Sequence, residues 1–145
     1  MIYRKLDCIL LVDDDKATNF LNKRLLKKMG VTDCIQIARN GAEGIEYLLK
    51  SANDKDGYPW PDFILLDINM PLVNGWEFLE EYEKLSTDIN KSTVILMLTT
   101  SLRDNDQNRA EKSKIIKGFI KKPLTQAELE GAIEAHFATK EPPTS

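Results

Sequence analysis

Five short apolar runs punctuate the chain, and each is followed by a stretch with helical spacing. The first, Cys8–Val12 (β1), leads into Lys16–Met29 (α1), where Phe20, Leu21, Leu25 and Met29 share a stripe and Gly30 supplies a stop. The second, Cys34–Ala38 (β2), leads into Ala42–Ala52 (α2), with Ile45, Leu48 and Leu49 on one face. The third, Asp62–Asp67 (β3), is followed by the turn-rich segment Asn69–Gly75 and then Trp76–Leu85 (α3). The fourth, Thr93–Leu98 (β4), precedes a helix predicted over Arg103–Ser113 (α4). The fifth, Ile116–Ile120 (β5), precedes Thr125–Phe137 (α5), which carries Leu129, Ile133 and Phe137 at four-residue spacing.

Runs β3 and β4 are almost continuously apolar instead of alternating, the mark of strands covered on both faces in a parallel sheet. Five strand–helix alternations with short connections require right-handed crossovers. The pattern predicts a doubly wound, flavodoxin-like α/β fold: five parallel strands in the order 2-1-3-4-5, flanked by five helices. One domain over residues 1–138 is expected, with 139–145 as a flexible tail. Helix α4 is unusually polar, Ala110 being its clear apolar residue, so it is expected to be the least firmly anchored. The loop Asn53–Pro61 is longer than a usual helix-to-strand connection. Its Tyr58 and Trp60 are expected to pack back onto the domain.

Composition narrows the class. The 145 residues are 42% hydrophobic and 30% charged, enough to bury a core without staples, and the formal net charge is −3. No basic block supports nucleic-acid binding through bulk charge, and no apolar run approaches the ~20 residues of a membrane span. The N-terminal stretch runs straight into three acids without a small-residue cleavage site, so a cytoplasmic protein is expected. Cys8 and Cys34 lie in apolar runs and read as buried thiols, in preference to a disulfide or a metal pair.

The polar residues fall where this winding places ligands, beyond the carboxyl ends of the strands. Strand β1 ends at Asp13-Asp14-Asp15, β3 at Asp67, β4 at Thr99-Thr100-Ser101 and β5 at Lys121-Lys122-Pro123. In the predicted order these ends meet in one cleft. Carboxylates of Asp13, Asp14 and Asp67 gathered together repel one another and invite a hard cation, and Mg²⁺ suits oxygen ligands while keeping room for phosphate oxygens. With that charge neutralised, a carboxylate can attack phosphorus. Lys122 can hold a phosphate oxygen as a point charge and the Thr99 hydroxyl can donate to another. Asp15 reads as a helix cap, Lys121 as a solvated neighbour, Trp76 as a packing residue and His136, the only histidine, as a surface residue. The cleft therefore has no histidine for general-base work.

The segments LLVDDD (Leu10–Asp15), FILLDINMPLVNGWEF (Phe63–Phe78), VILMLTTS (Val94–Ser101) and GFIKKPL (Gly118–Leu124) resemble the receiver domain of two-component response regulators. The likeness covers about residues 6–138, in order and in register with the strands, and is to the stand-alone, CheY-like or phytochrome-type regulator. It implies that Asp67 is the phosphoacceptor and that Asp13, Asp14, Asp67 and the backbone carbonyl of Asn69 hold Mg²⁺. It further implies a switch made of Thr99 and Phe119, a cis bond between Lys122 and Pro123, and modulation of dephosphorylation by Asn69 and Ser101. Phenylalanine at 119 lacks the hydroxyl of the tyrosine often found there, and Thr100 stands where many relatives carry alanine.

The implied partners are a sensor histidine kinase or histidine phosphotransfer protein, and a downstream protein or second copy met through the α4–β5–α5 face. The implied chemistry is self-phosphorylation and self-dephosphorylation, not turnover of a substrate. A haloacid-dehalogenase-type phosphatase also uses an Asp nucleophile, but needs a second Asp two residues on, where this chain has Asn69. A flavodoxin-like cofactor carrier is opposed by Asp13–Asp15, which would repel a flavin phosphate. A receiver acting purely as an interaction module is not favoured, because all the matched site residues are present.

Overall fold

The computed structural model describes residues 5–68, 70, 73–85, 93–99, 108–109 and 112–137. Strands Ile9–Val12 (β1), Ile35–Ala38 (β2), Phe63–Asp67 (β3), Val94–Thr99 (β4) and Ile116–Lys121 (β5) alternate with helices Lys16–Met29 (α1), Gly41–Asn53 (α2), Gly75–Lys84 (α3) and Gln126–Phe137 (α5). The strands form one parallel sheet in the order β2-β1-β3-β4-β5, as the sequence pattern predicts. Of predicted helix α4, only Asn108, Arg109, Lys112 and Ser113 lie among the described residues, and the first three are helical and exposed. The predicted tail, 139–145, also lies outside them.

The continuous apolar runs have the burial they imply, since every residue of β1, β3 and β4 is buried. Side chains alternate between two cores. Leu10, Ile64 and Met97 pack in one with Leu48 of α2 and Phe78 of α3. Ile9, Leu11, Phe63 and Leu65 pack in the other with Leu26 of α1 and Leu129 and Ile133 of α5. Phe63 also meets Phe137, ring centroids 5.7 Å apart. The edge strands β2 and β5 are only partly buried.

Local signals set the helix ends. The Asp15 carboxylate caps α1, accepting from the amide of Ala17 at 3.1 Å and the hydroxyl of Thr18 at 2.7 Å. Gly30 closes the helix at φ 64°, where a side chain would be strained. Asn74 and Glu77 form a reciprocal capping box on α3. Asn40 caps α2 by accepting from the Glu43 amide at 2.8 Å. Replacing it, Asn40→Ala, should cost about 0.5–2 kcal/mol, seen as a lower urea midpoint with an unchanged slope.

The α1 stripe differs from the expectation. Phe20 and Leu21 are 64% and 57% exposed, while Asn19, Asn22 and Leu26 face inward. Leu25 and Met29 of the predicted stripe do pack against the core, and Asn19 takes its inward place with a hydrogen bond described below. On α2, Leu48 is buried and Leu49 exposed. Trp60 packs back as expected: its indole N–H donates to the Thr93 hydroxyl at 3.0 Å, and its ring lies 6.4 Å from that of Tyr82. Cys8 is buried, but Cys34, read as buried from the sequence, is only half-buried because β2 is an edge strand; both are free thiols.

Candidate phosphoacceptor and metal site

The register brings Asp13, Asp67, Thr99 and Lys122, of the predicted residues, to one end of the sheet. Val12 pairs with Leu66, Asp67 with Leu98 and Thr99 with Lys121, so Asp13, Asp67, Thr99 and Lys122 emerge from neighbouring strands. Asp13, Asp67 and Thr99 are buried, Lys122 is half-buried and Asp14 is exposed. Carboxylate oxygens of Asp13, Asp14 and Asp67 lie within 4.8 Å of one another.

Asp13 and Lys122 are held by their neighbours. One Asp13 oxygen accepts from the Asp15 amide at 2.9 Å, while the Asn19 side-chain amide donates to the Asp13 carbonyl at 2.8 Å. The Lys122 ammonium reaches the other Asp13 oxygen at 2.6 Å and an Asp67 oxygen at 3.6 Å. The Lys122 amide donates to the Thr99 carbonyl at 2.8 Å, and the Lys122–Pro123 peptide bond is cis. Burial alone would pull the Lys122 pKa down. The hydrogen bond and charge of Asp13, joined by the charge of Asp67, outweigh it and hold the ammonium above the ordinary lysine value.

Asp67 rests on a tight loop. The Gly75 amide donates to the Ile68 carbonyl at 2.8 Å, and a methyl group at Gly75 would stand 2.6 Å from the Asp67 carbonyl oxygen. Gly75 is therefore the residue on which the chain can return directly beneath Asp67. Sequence reasoning noted the Asn74-Gly75 turn but not this approach. It missed Asn19 altogether, although a polar residue in phase with Leu26 is the signal that would have found it.

Among the described residues, three carboxylates face one ammonium and leave the cluster short of positive charge, and a small hard cation with oxygen ligands fits that donor set. Asn69, Thr100 and Ser101 lie outside the described residues. Phe119 is half-buried on β5 opposite Met97, against the α2–α3 core. On the α3 side, the Arg109 guanidinium sits 4.5 Å over the buried Trp76 ring and 3.6 Å from Glu80. Lys121 and His136 are exposed.

Comparison with known proteins shows the family to which the chain belongs. A family profile described as the response regulator receiver domain matches residues 9–134. A probable methanogenesis regulatory protein of Methanothrix harundinacea is 31% identical over 87% of this chain and 78% of its own length. A hybrid signal transduction histidine kinase of Dictyostelium discoideum is 33% identical over 86% of this chain but only 8% of its own length. Among solved structures, a two-component response regulator from Cytophaga hutchinsonii superposes with a TM-score of 0.79 at 33% identity, covering 88% of this chain and 94% of that one.

Proposed function

Because the chain belongs to the response regulator receiver domain family, we propose that it takes a phosphoryl group onto Asp67 from a phosphohistidine donor. The observation that carries this reading is the convergence of Asp13, Asp14 and Asp67 beside Lys122 at the carboxyl ends of adjacent strands. An Asp67 carboxylate oxygen attacks phosphorus as the P–N bond to the donor histidine breaks, leaving an acyl phosphate on Asp67. Lys122 holds a phosphoryl oxygen, and the Thr99 hydroxyl, one strand away, donates to another. Asp13, Asp14, Asp67 and the Asn69 carbonyl would hold Mg²⁺, which when bound neutralises the clustered charge and orients the phosphoryl oxygens.

The signal is a population shift: the new charge favours the packing in which Thr99 and Phe119 have moved toward the site, altering the α4–β5–α5 face. A downstream protein, or a second copy of the chain, reads that face. Water attack on the acyl phosphate resets it, with Asn69 and Ser101 setting the rate. The receiver unit spans residues 1–138, with 139–145 as a tail. No helix among the described residues is long and apolar enough to cross a membrane, and the reaction suits the cytoplasm, where a histidine kinase or phosphotransfer protein supplies the donor. The kinase whose segment this chain resembles supports that choice of donor.

The test is intact-protein mass after incubation with a small acyl-phosphate donor. A phosphoryl adduct that forms with Mg²⁺ and is abolished by a chelator is expected. No adduct from either the small donor or a phosphorylated phosphotransfer protein would overturn the reading.

The exposed apolar side of α1 offers the donor a landing surface. Leu21 and Leu25, with Pro123 and Leu124, line a cleft of about 500 Å³ that is continuous with Asp15 and Lys122 at the site. A helix bearing the phosphohistidine can lay apolar residues there while presenting its phosphate to Asp67. Leu21→Ser is expected to change stability by no more than about 0.5 kcal/mol, since the side chain is exposed. It should slow transfer from the protein donor while leaving the reaction with a small acyl phosphate unchanged, as separate time courses with the two donors would show.

A further inference from the structure

At the opposite end of the sheet from Asp67, two thiols face each other in a way the phosphoryl chemistry does not use. Cys8 immediately precedes β1 and Cys34 immediately precedes β2, with Ile9 paired to Ile35 in the ladder. The Ile9 amide donates to the Cys34 carbonyl at 2.9 Å, which holds the two backbones at strand spacing. Neighbouring strands lie about 4.7–4.9 Å apart, inside the range of Cα separations that a disulfide spans. The Sγ atoms are in contact, 2.9 Å apart. Their surroundings hold them in place: the Gln36 side-chain amide lies 3.7 Å from Cys34 Sγ, and the Tyr47 hydroxyl lies 3.8 Å from Cys8 Sγ while donating to the Pro59 carbonyl at 2.6 Å.

From this geometry we infer that Cys8 and Cys34 form a thiol-oxidation site that closes to an intramolecular disulfide when a hydroperoxide reaches it. The two cysteines have different parts because their exposures differ. Cys34 is half-buried beside the edge strand and meets the oxidant; Cys8 is fully buried and out of the oxidant's direct reach. Cys34 sulfur attacks the peroxide O–O bond, giving a sulfenic acid and releasing water. Cys8 sulfur then attacks the sulfenic sulfur, the S–O bond breaks, and the Cys8 proton leaves with the hydroxide as a second water. Two thiols and one hydroperoxide thus become one disulfide and two waters, or one water and one alcohol when the oxidant is organic. Cys8 is shielded from direct attack but stands in contact with the sulfur it must trap, so closure precedes further oxidation of Cys34.

The bond joins edge strand β2 to β1 across 26 positions of sequence. It also alters the sulfur that Tyr47 touches, and Tyr47 in turn holds the 54–60 loop through Pro59 and through its edge-on contact with the Tyr58 ring, 6.1 Å away.

The test treats the folded protein with hydrogen peroxide, quenches with acid, alkylates any remaining thiols and maps the peptides. The expected product is two hydrogens lighter than the reduced protein, with a Cys8 peptide linked to a Cys34 peptide, and a dithiol reductant reverses it. Cys8→Ala should instead accumulate sulfenic and sulfinic acid at Cys34, and Cys34→Ala should leave Cys8 reduced. Cooperative urea unfolding of both variants establishes that they are folded; if Cys8→Ala is not, Cys34→Ala and the wild type still decide the matter. The inference is overturned if the wild type passes to sulfinic acid without the link, forms only a bond between two chains, or keeps both thiols under peroxide that oxidises a free cysteine peptide.

Discussion

Replacing Gly75 with alanine should displace Asp67 and impair both the fold and the site, at a cost of about 1–3 kcal/mol or more. The added methyl would stand 2.6 Å from the Asp67 carbonyl oxygen and 2.9 Å from the Ile68 Cα, and both are backbone atoms that cannot rotate away as a side-chain tip would. The strain has two outlets. Either the start of α3 moves off, breaking the Gly75–Ile68 hydrogen bond and loosening the buried Trp76 and Phe78, or the end of β3 moves and carries the Asp67 carboxylate with it. The second outlet changes the 3.6 Å approach of Lys122 and the spacing to Asp13 and Asp14. The expected result is a lower denaturation midpoint together with slower phosphorylation per folded molecule, the latter because an ångström of misplacement at a reacting atom can cost orders of magnitude in rate. A Gly131→Ala control, at a position with nothing within 4 Å, should show neither effect.

The second large effect separates two neighbouring carboxylates that the sequence treats alike. Asp14 is exposed, and among the described residues its carboxylate faces the like charges of Asp13 and Asp67. Asp14→Ala therefore removes repulsion, and the variant should be at least as stable as the wild type without metal. Its affinity for Mg²⁺ should nonetheless fall by at least the 10–100-fold typical of losing even an outer-shell partner. Asp13 is different: it is buried, and it holds Lys122 at 2.6 Å. Asp13→Ala leaves the half-buried ammonium with Asp67 alone, so it should lower stability as well as metal affinity. Urea unfolding with and without Mg²⁺ reads both quantities, because a ligand that binds the folded state raises its midpoint by mass action. Equal metal-induced shifts in the wild type and Asp14→Ala would contradict the proposed ligand set.

The strand ends were legible because this architecture leaves polar residues at the ends of fully buried strands few alternatives. Asp67 closes a run in which every residue is buried, and Thr99 and Lys122 sit at the matching ends of β4 and β5. In a parallel sheet, position along the strand is enough to bring such residues together. The inward face of α1 was less legible for the converse reason. Its apolar side chains Phe20 and Leu21 point to solvent, while Asn19 turns inward to hold the Asp13 carbonyl. A reading that scores apolar positions passes over an asparagine turned inward to hydrogen-bond at the site, and functional sites are where agreement between pattern and structure is expected to fail. The close approach at Gly75 and the facing of Cys8 with Cys34 depend on tertiary contact and register, so neither follows from spacing along the chain.

The central claim is that Asp67 itself receives the phosphoryl group, and borohydride trapping tests it most directly. An acyl phosphate is reduced by borohydride whereas a free carboxylate is not, so the phosphorylated residue alone becomes an alcohol that peptide mass mapping can locate. After incubation with an acyl-phosphate donor and Mg²⁺, the account predicts reduction at position 67, none without Mg²⁺, and none in Asp67→Asn. Reduction at Asp13 or Asp14 in place of Asp67, or unchanged labelling in the Asp67→Asn protein, would contradict it.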